Sequence, residues 1–127
     1  MKQDTETSKV VLVVEDDALI RANIMEVLEE EGYQAVGAGN GEEALAYLLG
    51  APKVPGLILL DLMMPIMDGW HFRTEQKRNA ALEKIPVIVV TADGNAQQKA
   101  MKINAEGWVK KPIEIDALLK VVRENCI

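Results

Sequence analysis

Short apolar runs alternate with longer segments of helical period along most of this chain. Five runs rich in Val, Ile and Leu are predicted to be β-strands, because turn residues bound them. They cover residues 9–14, 33–36, 57–60, 87–90 and 107–109. Almost continuous apolar character is typical of strands buried on both faces. The pattern therefore predicts a parallel sheet with helices packed on both sides.

Five helices are predicted between and after these strands. The first has one apolar stripe and ends at Gly32; the stripe is Leu19, Ile20, Ile24, Val27 and Leu28. A polar turn at residues 37–41 precedes the second helix, at 42–49, with Asn40 as its N-cap and Glu43 in the capping-box position. The remaining helices are expected at about 69–80, 95–103 and 115–124.

Five β/α units with right-handed crossovers restrict the topology. The predicted fold class is α/β: a doubly wound, five-stranded parallel sheet of flavodoxin-like order 2-1-3-4-5, in which the order itself is an assumption. This order places the switch point, where such folds bind ligands, between the first and third strands.

Size and composition indicate one cytoplasmic domain. Residues 1–8 are expected to be a flexible segment, and residues 9–127 a single domain without an effector domain. The net charge of −6 argues against a nucleic-acid binder, which needs a basic face. A lone cysteine, Cys126, suits a reducing compartment, and no run approaches the ~20 apolar residues of a membrane span.

Five polar residues follow the predicted strands directly or closely: Glu15, Asp16, Asp61, Thr91 and Lys111. They should meet in one pocket, because the carboxyl ends of parallel strands share an edge of the sheet. Two carboxylates ~5 Å apart repel by about 3 kcal/mol at an effective dielectric near 20. A compensating cation is therefore expected, and Mg²⁺ fits a set of carboxylates better than zinc does.

Asp61 is the predicted reactive residue of this pocket. A carboxylate beside a bound cation is able to attack a phosphoryl group and form an acyl phosphate. Asp17, in contrast, is interpreted as the N-cap of the first helix.

The motifs at residues 13–17, 60–69, 90–92 and 111–112 resemble the receiver domain of two-component response regulators, of the stand-alone type found among chemotaxis regulators. The resemblance covers about residues 9–125. It implies that Asp61 is phosphorylated by a histidine kinase or phosphotransfer protein and that Mg²⁺ is required. It also implies a phosphoacceptor switch rather than an enzyme with its own substrate.

The resemblance assigns further roles. Asp16, Asp61 and the Met63 carbonyl would be direct Mg²⁺ ligands, with Glu15 acting through water. Lys111 would bind the phosphoryl group and precede a cis proline. Thr91 and Trp108 would form the switch pair, although the family usually has Tyr or Phe at the position of Trp108.

Partners are also implied by the resemblance. Output would pass to a protein target through the face of helix four, strand five and helix five, with no direct contact to nucleic acid or membrane. The protein would be a monomer or a weak, phosphorylation-dependent dimer.

Two other functions remain open. A phosphohydrolase that forms an aspartyl phosphate needs an acid two residues after the nucleophile, where this chain has Met63. A binding module that works without phosphorylation is the other alternative.

Overall fold

A parallel sheet of five strands forms the centre of residues 9–127, the part of the chain that this computed structural model describes. The strands are Val10–Val14 (β1), Gln34–Ala38 (β2), Leu57–Asp61 (β3), Val87–Thr91 (β4) and Gly107–Lys110 (β5). The flexible segment predicted at residues 1–8 lies outside the described residues.

Each strand is followed by a helix. The helices are Ala18–Glu30 (α1), Gly41–Gly50 (α2), Gly69–Lys77 (α3), Ala96–Lys102 (α4) and Ile115–Asn125 (α5). This β/α alternation requires crossover connections, which is why neighbouring strands are parallel.

The strand order is β2-β1-β3-β4-β5, so the predicted fold class and order are confirmed. Val14 pairs with Leu60, and Asp61 pairs with Val90, which aligns the ends of β1, β3 and β4. Lys110, at the end of β5, pairs with Thr91. The carboxyl ends of four strands therefore open on the same stretch of the sheet edge.

Two apolar cores lie on the two faces of the sheet. Alternate residues of the central strands point to opposite faces, so Leu12 and Leu60 pack with helices α2, α3 and α4, whereas Val13 and Leu59 pack with α1 and α5. All five residues of β3 and of β4 are buried. Their carboxyl ends are therefore held on a well-packed scaffold.

The predicted helix caps are observed. Oδ1 of Asp17 accepts hydrogen bonds from the backbone N–H groups of Leu19 and Ile20, both at 3.0 Å. Asn40 caps α2 in the same way, accepting from the N–H of Glu43 at 2.9 Å. Gly32 follows α1 with a φ of 95°, a conformation that favours glycine.

Three sequence predictions differ from the structure. Strand β2 runs to Ala38 instead of Val36, because Gly37 and Ala38 pair with β1 and do not form part of the turn. A Cβ at position 37 would lie 2.9 Å from Sδ of Met25, on the flexible side chain of an α1 residue.

The other two differences concern helices. Helix α3 ends at Lys77 instead of about Ala80, because the chain turns at Arg78 and Asn79, where Asn79 Oδ1 accepts from the N–H of Ala81 at 2.9 Å. Leu19, predicted in the buried stripe of α1, is 71% exposed. No helix in the described part of the chain has the length and apolar character needed to cross a membrane.

Candidate phosphorylation and metal site

A cleft of about 520 Å³ opens at the carboxyl ends of β1, β3, β4 and β5. The predicted site residues line it, except Trp108. The lining residues are Glu15, Asp16, Asp17, Ile20, Asp61, Met63, Thr91, Ala92, Asp93 and Lys111. The structure thus brings together side chains that are up to 96 residues apart in sequence, from Glu15 to Lys111.

Three carboxylates form the acidic part of the cleft. One oxygen from each of Glu15, Asp16 and Asp61 lies within 4.8 Å of the others. Glu15 and Asp61 are buried, whereas Asp16 is exposed at the mouth. Such proximity is unfavourable without a compensating positive charge, which the described residues supply through Lys111.

Lys111 enters the cleft from the loop after β5. Its Nζ lies 2.8 Å from Oε1 of Glu15 and 3.5 Å from Oδ2 of Asp61. Burial lowers the pKa of Lys111, but the bond to Glu15 and the charges of both acids outweigh it, so the net shift of the pKa is upward. The ammonium form is therefore favoured in the folded protein.

For Glu15, in contrast, burial outweighs the contacts that favour the charged form, and the pKa of its carboxyl is raised. Burial is the largest influence and raises the pKa of its carboxyl, and the charge of Asp61 adds to this, while Lys111 and the N–H of Asp17 oppose it. The Asp17 N–H donates to Oε2 at 3.1 Å. Oε1 pairs with Nζ of Lys111 at 2.8 Å.

The loop after β3 holds Asp61 in position. The backbone N–H of Met63 donates to Oδ1 of Asp61 at 3.0 Å, and the N–H of Gly69 donates to the Leu62 carbonyl at 3.0 Å. Only glycine fits at position 69, since a Cβ there would lie 2.6 Å from the Asp61 carbonyl oxygen. The start of α3 thus packs directly against the backbone of Asp61.

Thr91 lies on the other side of Asp61. Its hydroxyl is buried and accepts the backbone N–H of Asp93 at 3.2 Å. The N–H of Lys111 donates to the Thr91 carbonyl at 2.8 Å, which fixes the ends of β4 and β5 together. The Lys111-Pro112 peptide bond is cis.

Trp108 is not part of the cleft. It lies on the edge strand β5, is 41% exposed, and pairs with Val89 instead of with Thr91. Its role as a switch residue stays a prediction.

The donor set suits a hard divalent cation. Carboxylate oxygens from Glu15, Asp16 and Asp61 come within 4.8 Å of one another, and the exposed Asp16 leaves the site open to solvent. Oxygen donors of this kind, with open space for water, match the preferences of Mg²⁺. The residues present therefore fit this ion.

Sequence reasoning missed one residue that supports the acids. Nη1 of Arg21, on α1, donates to the backbone carbonyl of Glu15 at 2.7 Å and so holds the loop that carries Glu15 and Asp16. Its position one turn into α1 was visible in the sequence. The contact itself depends on how α1 folds back over the end of β1.

The fold and the cleft together define an α/β domain with acids, a hydroxyl and an ammonium at the carboxyl edge of its parallel sheet. The model of the response regulator receiver domain matches residues 11–123, so the chain belongs to this family. The resemblance inferred from the motifs is thereby confirmed.

Several relatives are transcriptional regulators. The chain is 35% identical over 119 residues to the phosphate regulon transcriptional regulatory protein PhoB of Pseudomonas aeruginosa, covering 90% of this chain and 51% of that protein. It is 36% identical over 124 residues to the transcriptional regulatory protein PdtaR of Mycobacterium tuberculosis, covering 94% and 57%. The chain thus spans about half the length of these relatives.

Solved structures of similar length match over most of both chains. The chemotaxis response regulator CheY4 of Vibrio cholerae superimposes with a TM-score of 0.83 at 28% identity, covering 93% of this chain and 98% of that one. A response regulator structure from Chloroflexus aurantiacus gives a TM-score of 0.84 at 25% identity, covering 92% and 96%. Receiver domains interact with histidine kinases and downstream targets, and they typically bind Mg²⁺ at an acidic pocket.

Proposed function

We propose that, in this receiver domain, Asp61 accepts a phosphoryl group from a histidine kinase or phosphotransfer protein. One observation carries the proposal. The buried Asp61 carboxylate lies 3.5 Å from the ammonium of Lys111, and one of its oxygens lies within 4.8 Å of oxygens of Glu15 and Asp16.

The chemistry is a single phosphoryl transfer. An oxygen of Asp61 attacks phosphorus, and an acyl phosphate P–O bond forms as the P–N bond of the donor phosphohistidine breaks. The electron pair of that bond goes to the leaving imidazole nitrogen. Phosphoryl transfer depends mostly on positioning and charge neutralisation. Here the N–H of Met63 orients Asp61, and Lys111 neutralises oxygens of the transferred group.

Mg²⁺ is the proposed cofactor. Asp16, Asp61 and the Met63 carbonyl are the proposed direct ligands, with Glu15 acting through water. Bound there, the ion neutralises negative charge on the transferring phosphoryl group. Since Glu15 already engages Lys111 and the N–H of Asp17, it also holds the lysine beside the acceptor.

Output is proposed to be a change of protein contacts, not turnover of a separate substrate. Thr91 would follow the phosphoryl group, and the change would reach the surface formed by α4, β5 and α5. This surface exposes Met101 and Trp108. A protein target, reached in the cytoplasm by a monomer or a weak dimer, would read this surface.

The test is phosphorylation by a small donor. Incubation with acetyl phosphate or phosphoramidate and Mg²⁺ should add one phosphoryl group by intact mass, and peptide mapping should place it on Asp61. Asp61→Asn should give no adduct, and omission of Mg²⁺ should remove it from the parent.

Asp68→Asn is the matched control. Asp68 is also in the β3–α3 loop, but it caps α3 by accepting the N–H of His71 at 2.9 Å and does not line the cleft. Asparagine is an equally good cap, so this variant should be labelled like the parent. Absence of an adduct in the parent, with beryllofluoride also without effect on its spectrum, would refute the proposal.

A further inference from the structure

An arginine is buried between α3 and α4, away from the cleft. Arg73 is 5% exposed, and all three guanidinium nitrogens donate hydrogen bonds. Nε donates to the carbonyl of Ile103 at 2.8 Å, Nη2 to the carbonyl of Asn104 at 2.7 Å, and Nη1 to Oε1 of Gln76 at 2.8 Å. Two of its three acceptors are therefore the carbonyls of the two residues that directly follow α4.

The turn that caps α4 uses neither of these two carbonyls. After α4 the chain forms a Schellman turn: the N–H of Asn104 donates to Met101, and that of Ala105 donates to Ala100. Asn104 has a φ of 55°, as the turn requires. The guanidinium then completes the end of α4 and interacts favourably with its negative pole.

Gln76 extends the contact to the start of β4. Its Nε2 donates to the carbonyl of Leu82 at 2.9 Å and to that of Ile85 at 3.1 Å, and it is fully buried. Leu82 and Ile85 lie in the segment that leads into β4. The start of β4 and the end of α4, which both lie far from the cleft, are thus bonded to two residues of α3.

The buried charge has no acidic partner at ion-pair distance among the described residues. A buried charge of this kind is costly unless it is well hydrogen-bonded, and burial lowers the pKa of Arg73, with Glu106 partly opposing this. Oε1 of Glu106 itself accepts the N–H of Val87 at 2.8 Å. The guanidinium therefore depends on the two carbonyls that follow α4, and they depend on it.

The other end of α4 is linked to the cleft instead. Asn95 precedes α4 but makes no side-chain cap bond. Lys99 pairs with Asp93, and the N–H of Asp93 bonds the Thr91 hydroxyl. Movement of that hydroxyl away from Asp93 would lengthen this bond, which connects the cleft to the first turn of α4 through Asp93 and Lys99.

We propose that Arg73 and Gln76 form an anchor that fixes the last turn of α4 and the start of β4 to α3. A change that begins at Thr91 then moves the first turn of α4 about a fixed end and leaves the last turn in place. The direction of movement rests on the function proposed above, whereas the anchor itself is a property of the free protein.

Hydrogen exchange of single amides tests the anchor without any phosphate. Arg73→Lys keeps the charge but loses the planar set of donors. In this variant, exchange of the Asn104 and Ala105 amides should become at least tenfold faster than in the parent, while amides of α2 change less than twofold. Arg78→Lys is the control, since Arg78 is exposed on the same helix and pairs only with Glu75, at 3.4 Å.

Beryllofluoride with Mg²⁺ then tests the direction of movement. In the parent it should change exchange at Asp93 and Lys99 and leave Asn104 and Ala105 within twofold. In Arg73→Lys the change should spread to all four amides. Equal changes at both ends of α4 in the parent would overturn the proposal.

The remaining outcomes are also decisive. Faster exchange to the same extent in every element of Arg73→Lys would mean a general loss of stability and would overturn the anchor, as would no change at Asn104. If Arg73→Lys does not fold, Gln76→Met replaces it, and the Ile85 amide should exchange at least tenfold faster. If beryllofluoride changes no amide of the parent, the proposed phosphoryl function fails, and the free-protein comparison still decides the anchor.

Discussion

The ammonium of Lys111 lies closer to Glu15, at 2.8 Å, than to Asp61, at 3.5 Å. Glu15 is buried, so Lys111 provides most of the charge compensation that the acid receives in the free protein. One lysine thus stabilises Glu15 in the free protein and, in the function proposed above, would also bind the phosphoryl group.

Lys111→Met should therefore destabilise the protein. Removing the cation leaves Glu15 and Asp61 close together and largely buried, and the free energy of unfolding should fall by about 1–3 kcal/mol. Urea denaturation measures this. Lys110→Met is the control, because Lys110 is exposed on β5 and should change stability by less than about 0.5 kcal/mol. Equal effects of the two substitutions would contradict the assigned role of Lys111.

Removal of one acid should have the opposite effect. Three carboxylates share one ammonium in the cleft, so Asp61→Asn or Asp16→Asn should raise the free energy of unfolding without metal by on the order of 1 kcal/mol. Asp116→Asn, which removes an exposed acid of α5, controls for net charge.

Magnesium should stabilise the parent more than it stabilises these two variants. Millimolar Mg²⁺ should raise the melting temperature of the parent by binding only the folded state, and it should do so less in Asp61→Asn and Asp16→Asn. Thermal melts with and without the ion measure both effects. A parent that ignores Mg²⁺, together with a loss of stability in Asp16→Asn, would count against a metal site.

Asp93 should show a pH dependence that Lys99 causes. The hydrogen bond from Lys99, with a second from the N–H of Asn95, lowers the pKa of Asp93 below its ordinary 3.8. The folded protein thus favours the ionised carboxylate. The resulting stability is present above pH 3.8 and is lost as the pH falls through the lower, folded-state pKa.

An NMR titration of the Asp93 side chain measures this shift. Lys99→Met should raise the pKa of Asp93 towards 3.8, whereas Lys102→Met, on the same helix, should leave it in place. An Asp93 pKa that stays the same in parent and Lys99→Met would show that the ion pair is absent in solution.

The fold and the members of the site were accessible from sequence because each depends on local pattern. Apolar runs place Asp61 and Thr91 at strand ends, and the topology then brings those ends together. The caps at Asp17 and Asn40 were predictable for the same reason, since a cap bonds residues two or three positions away.

Features that depend on packing between distant elements could not be predicted. Gly37 was interpreted as part of a turn, but it extends β2 because it pairs with Val13 of β1. Arg73 has the appearance of a surface residue in a polar helix, and only the position of the carbonyls that follow α4 explains its burial. The preference of Lys111 for Glu15 over Asp61 likewise depends on side-chain geometry.

Gly69 should be intolerant of substitution because the backbone of Asp61 and Leu62 occupies the space beside it. A Cβ at position 69 would lie 2.6 Å from the carbonyl oxygen of Asp61 and 2.7 Å from Cα of Leu62, both of which are backbone atoms that move only with β3. Gly69→Ala should lower the free energy of unfolding by about 1–3 kcal/mol, measured by urea denaturation. It should also reduce labelling of Asp61 by acetyl phosphate, because relief of the contact displaces the acceptor.

Gly50→Ala is the matched control, since nothing lies within 4 Å of a Cβ there and alanine favours the helix that Gly50 ends. Equal stability of the two variants would mean that α3 shifts without cost and that its packing does not position Asp61.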